Sequence, residues 1–85
     1  MNQSGWNEIH EFLNSKENLE TDKYLVKWQF RMLGDFETSL MRTIALADEG
    51  NLDLLRRAFP MQVAAYLDWT RGGAGKRIRK DIPTI

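Results

Sequence analysis

The chain has 85 residues, 42% hydrophobic and 28% charged, with twelve Lys/Arg against twelve Asp/Glu, one His and no Cys. That is one domain with a thin core, and it excludes disulfides, thiolate chemistry and any multi-His metal site within one chain. The zero net charge hides a division: residues 1–70 hold seven cations against eleven carboxylates, and residues 71–85 hold five (Arg71, Lys76, Arg77, Arg79, Lys80) against Asp81 alone.

The first ten residues lack the basic start and apolar stretch of a secretory signal. No apolar run nears the roughly 20 residues that span a bilayer. The expectation is a soluble, cytoplasmic protein; the lack of cysteine is compatible with a reducing compartment.

Trp6, Ile9, Phe12 and Leu13 recur at three- and four-residue spacings. This predicts a helix with Ser4 as its N-cap, ended by the polar run Asn14-Ser15-Lys16-Glu17-Asn18. From Tyr24 to Leu33 two periods compete. Tyr24, Val26, Trp28, Phe30 and Met32 alternate as in a strand, whereas Tyr24–Trp28 and Leu25–Met32 suit a helix. Helix is preferred, with Thr21 or Asp22 as cap, because a lone strand would need a missed partner or a second chain to satisfy its backbone.

Gly34-Asp35 reads as a stop and restart, with Asp35 capping a helix whose face is Phe36, Leu40, Ile44 and Ala47. Gly50 is expected to close that helix, and Asn51 to cap a short one lined by Leu52, Leu55 and Phe59. Pro60 suits a first helical turn, so Phe59-Pro60 predicts a corner opening a last helix to about Thr70. That helix is apolar nearly all round, which places it centrally in a bundle or partly in an interface. Gly72-Gly73-Ala74-Gly75 is expected to end regular structure. The fold class is therefore all-α: a compact bundle of about four short helices in residues 1–70, then a flexible, Gly-rich basic tail, residues 71–85.

The pattern Phe36-x3-Leu40-x3-Ile44-x2-Ala47-Asp48-x2-Asn51-x3-Leu55-x3-Phe59-Pro60-x2-Val63-x-Ala65-Tyr66-x2-Trp69 resembles one in small uncharacterised helical proteins of phages and integrated mobile elements. The resemblance covers about 34 residues and nothing before Gly34. It implies a helical fold and a mobile-element origin, and proteins of that kind often bind and block a host protein, anti-defence proteins included. The matched positions themselves read as packing and turn chemistry.

No catalytic set is visible. His10 is flanked by Glu8 and Glu11 with no nucleophile motif beside it. Asp48, Glu49 and Asp53 lack the alternating ligands of a calcium loop. Thr70-Arg-Gly-Gly-Ala-Gly-Lys76-Arg77 fails as a phosphate loop: Thr70 stands where Gly is needed, Arg77 where Ser or Thr is needed, and a helix precedes it. The expectation is a non-enzyme without cofactor or metal.

Two binding surfaces are expected instead. One is a protein-binding surface of Glu17, Glu20, Asp22, Asp35 and Glu37 with Trp28 and Trp69 as aromatic anchors; these acids could occupy the phosphate channel of a nucleic-acid-handling enzyme. Of the three Trp, two are expected mainly in the core, with Trp28 or Trp69 partly exposed. The alternative is accessory nucleic-acid binding by Arg71, Lys76, Arg77, Arg79 and Lys80, each able to neutralise a phosphate. The same cations could instead fold back on the acidic body. A self-assembling structural subunit, using the apolar last helix, is the third possibility.

Overall fold

The computed structural model describes residues 3–85, apart from the side chains of residues 3 and 4. Among them are six helices and no strand: α1 (Gln3–Asn14), α2 (Glu20–Gln29), α3 (Asp35–Leu46), α4 (Glu49–Ala58), α5 (Pro60–Arg71) and α6 (Ala74–Arg79). None is long and apolar enough to cross a membrane.

The amphipathic pattern of α1 buries Ile9 and Phe12 and leaves Trp6 on the wet side. Ser4 lies within α1 rather than before it, and its side chain is outside the described residues. The alternation in Tyr24–Leu33 does not produce a strand. Tyr24, Leu25 and Val26 are buried in succession because α2 is covered by α1, α5 and α6 on different sides. Leu19, not Thr21 or Asp22, is the N-cap residue, and it makes no side-chain cap bond.

α2 stops at Gln29, four residues short of Leu33. The Arg31 amide reaches the Trp28 carbonyl (3.2 Å) and the Met32 amide reaches Lys27 (2.7 Å), which is a Schellman closure. It places Arg31 at φ 57°, the left-handed region that glycine usually occupies here.

Capping differs from expectation at two more joints. Gly34 is the N-cap residue of α3, with Asp35 its first helical residue. At the next joint Asp48 accepts from the Asn51 amide at 2.8 Å, so α4 starts three residues early and Gly50 lies inside it. An aspartate three residues before an orphan amide outcompetes the later Asn as cap. Pro60 does open α5, at the Phe59 corner.

α5 is the hub: it packs on α2, α3, α4 and α6, burying Val63 and Ala65. The chain's own helices thus cover part of its apolar circumference, while Met61 and Ala64 stay exposed. With extents of 42 × 25 × 21 Å the molecule is elongated, and its 13.3 Å radius of gyration exceeds the ~12 Å usual for this length.

The largest correction concerns residues 71–85, expected to be a flexible tail. Residues 74–79 form α6, and Ala74, Ile78 and Ile82 have no exposed surface. Ile78 and Ile82 are one helical turn apart, so they enter the same core cluster as Ile9, Leu25 and Met41. The core therefore draws on both sides of residue 70, and the helix count rises from about four to six.

Ending the chain after Thr70 is expected to lower the thermal midpoint seen by circular dichroism sharply and to broaden the transition. Ile78→Ala is expected to cost about 2–5 kcal/mol in urea unfolding. A truncated chain that melts like the full one would contradict this account of the core.

Candidate protein-binding surfaces

The predicted site residues divide according to what the fold requires of them. Asp22 is only 3% exposed. Both its oxygens accept from Arg77, Oδ2 from Nε and Oδ1 from Nη2, each at 2.7 Å. The same Nη2 donates to Asp68 Oδ2, also at 2.7 Å, so one guanidinium joins α2, α5 and α6. Its hydrogen bonds to Asp22 and then Asp68 push its pKa further above the usual arginine value, and it stays charged. Gly72 is required beside this cluster: a Cβ there would lie 2.2 Å from Asp68 Oδ1.

Glu37 is half-buried and accepts from the Tyr24 hydroxyl and, at 3.5 Å, from Gln62 Nε2. Burial first, then the hydrogen bond and the negative charge of Glu37, pushes the Tyr24 phenol well above its ordinary value. Glu20 lies 3.5 Å from Lys23, and the hollow holding Glu20 and Glu37 also holds Lys23 and Lys27. Asp35 is exposed at the start of α3, and Glu17 is exposed in the turn after α1. The five acids thus do not gather into one acidic face.

Trp28 and Trp69 are half-buried and mutually packed, edge to face, at 6.5 Å between ring centroids. Tyr66 extends the cluster at 6.2 Å from Trp28, and the Arg79 guanidinium caps it 5.6 Å from the Trp69 ring. The most exposed indole is Trp6, at 42%, its ring tilted against His10 at 6.3 Å between centroids.

Of the five cations of 71–80, Arg71 meets Glu49 at 3.2 Å, and Arg79 covers Trp69 and donates to the Ile85 carbonyl. Arg77 is committed as above. Only Lys76 and Lys80 are exposed with no ion pair, side-chain hydrogen bond or ring contact among the described residues.

Two surfaces remain that the sequence did not single out. The first is a hollow of about 280 Å³ whose lining includes Glu8, Glu11, Glu17 and Asp81 together with Phe12. None of these four carboxylates forms an ion pair among the described residues. Glu8, Glu11 and Glu17 share spacing that a helix and its following turn bring together; Asp81 joins them only through the docking of α6. The second is an open groove between α3 and α4, where Leu46 (80% exposed) and Leu54 (60%) face water. Among the described residues, no cluster of His, Asp or Glu is arranged to hold a metal ion.

Asp22→Ala is expected to destabilise the fold by about 2 kcal/mol in urea. That is below the roughly 3–5 kcal/mol for a fully buried pair, because Arg77 keeps 43% of its side chain in water. For Tyr24 the folded-state pKa is the higher one, so its stabilisation is complete below about pH 10 and is lost as pH rises further. Tyr24→Phe is expected to flatten the stability decline above pH 10; an unchanged slope would deny the Tyr24–Glu37 bond that role. No family model, curated protein or solved structure matches the chain, so its surfaces are interpreted from their own chemistry.

Proposed function

We propose that this chain is a non-catalytic protein-interaction module whose acidic side receives a basic surface of a partner protein. One observation carries the reading: four carboxylates, Glu8, Glu11, Glu17 and Asp81, line one hollow with no cation paired to them among the described residues. Uncompensated like charges held together cost stability, and an oppositely charged surface relieves that cost on docking. Trp6, exposed on the same helix, supplies an aromatic contact of the type enriched at binding hot spots.

The Phe36–Trp69 pattern adds that the chain is of a phage or mobile-element kind, and that its partner is a host assembly it blocks. A basic surface to be blocked is the normal property of an enzyme that handles nucleic acid, which is where an anti-defence role fits. This places the acidic contact on α1 and the following turn, rather than on Asp22 and Glu37.

A second reading, accessory nucleic-acid binding through α6, rests on Lys76 and Lys80, exposed one turn apart. Two phosphate contacts give a weak, strongly salt-screened interaction.

The test is an affinity capture from nuclease-treated lysate, with the parent chain, an E8K/E11K/E17K variant and a K76Q/K80Q variant. All three keep the buried core and Arg77. The expected result is a protein partner that survives nuclease, persists with K76Q/K80Q, and binds about tenfold more weakly to the triple reversal. Recovery lost with nuclease or with K76Q/K80Q would transfer the function to nucleic acid.

A further inference from the structure

We infer that the groove between α3 and α4 is a docking site for one amphipathic helix of a partner protein, aliphatic on its inner face and acidic on its flanks. α3 and α4 both pack on α5 rather than along each other, and this leaves a channel of about 490 Å³ between them. Its lining is Thr43, Leu46, Ala47, Asn51, Leu54 and Leu55, with no charged side chain. Exposing Leu46 and Leu54 side by side costs hydration free energy that an apolar occupant removes. The joint between the helices is fixed by the Asp48 cap, so the channel is largely preformed.

The size of the channel selects the kind of occupant. A folded second copy would need about 800 Å² and roughly 20–30 residues on each side. Six lining residues fall well short of that. A single helix needs only three or four anchors at positions i, i+3, i+4 and i+7, a number that six lining residues can receive.

Charge selects the flanks. Two of the nearby acids are ion-paired, Glu49 with Arg71 and Asp53 with Arg56 at 2.7 Å, while Asp48 caps the Asn51 amide and keeps its charge, so the guanidinium groups of Arg42 and Arg57 outnumber it. Arg42 is one turn before Leu46 on α3, and Arg57 is three residues beyond Leu54 on α4, so each neighbours one of the exposed leucines along its helix, outside the lining itself. Both are exposed and, among the described residues, make no ion pair. Two free guanidinium groups beside an apolar channel favour a helix carrying Glu or Asp next to its aliphatic stripe. This inference rests on the protein-interaction reading but uses a different face from the acidic hollow.

The experiment is a ¹⁵N-correlation NMR titration of the full chain with a helix-stabilised synthetic peptide of about 15 residues. The peptide carries Leu at i, i+3, i+4 and i+7 and Glu on the flanks; a second peptide has Lys in place of Glu. Expected are shifts at Thr43, Leu46, Asn51 and Leu54 with the Glu peptide, and at least about tenfold weaker binding to Leu46→Asp. Leu46 is exposed, so that variant keeps the parent circular dichroism spectrum. Arg42→Glu with Arg57→Glu is expected to transfer the preference to the Lys peptide.

Equal binding of both peptides, shifts elsewhere, or no binding would overturn the inference. So would concentration-dependent sedimentation of the parent chain that Leu46→Asp abolishes, since the groove would then belong to a second copy. The E8K/E11K/E17K variant is expected to bind the Glu peptide as well as the parent does. Failure of the groove is thereby separated from failure of the acidic hollow.

Discussion

The fold depends on one buried carboxylate. Asp22 is enclosed within the helical packing of α2, where an unpaired negative charge would be prohibitively unfavourable. Among the described residues Arg77 alone pairs with it, with two parallel hydrogen bonds, and the same group also takes Asp68. α6 must therefore lie across α2 and α5. Once it does, Ile78 and Ile82 are carried into the core and the close approach at Gly72 follows. A hydrophobic pair such as Ile78 and Ile82 can be buried in many orientations; the forked guanidinium permits very few.

That arrangement also determines which charges are left for anything else. In the sequence, acid and base are separated at residue 70. In space they are interleaved: Arg77 is set against Asp22 and Asp68, and Arg71 against Glu49. The charges left without an ion pair among the described residues include Glu8 and Glu11 on α1, Glu17 in the turn after it, Asp81 beyond α6, Lys76 and Lys80, and Arg42 and Arg57 on α3 and α4. Linear charge blocks describe a folded surface poorly whenever a pairing is long-range.

The local parts of the fold were legible. The α1 face, the α3 stripe through Leu40 and Ile44, and the Pro60 corner follow from periodicity and from proline's fixed φ. The helical reading of Tyr24–Leu33 was right in kind but ran too far, because nothing in the residues marks Arg31 as the left-handed terminator. Asp48 and Asn51 are both good caps three residues apart, and composition does not rank them. The candidate site was far less legible. Ile78 and Ile82 stand among Lys76, Arg77, Arg79 and Lys80, so the charges masked a two-residue apolar stripe. Asp22 looked like any helix-start acid, since its environment is set by a residue 55 positions away. Glu8 and Glu11 were noticed only as neighbours of His10.

The length of that separation bears on the order in which the structure assembles. Closing a loop of 55 residues is entropically dearer than forming any single helix or the α4–α5 corner. The Asp22–Arg77 contact thus belongs late on the folding path, after the local helices and their docking on α5. Weakening it accelerates unfolding much more than it slows folding. Amide protons of α6 then exchange through a partial opening that leaves α3–α5 intact, a lower-energy event than global unfolding. The guanidinium that makes the native packing unique also makes its last-formed part the first to open.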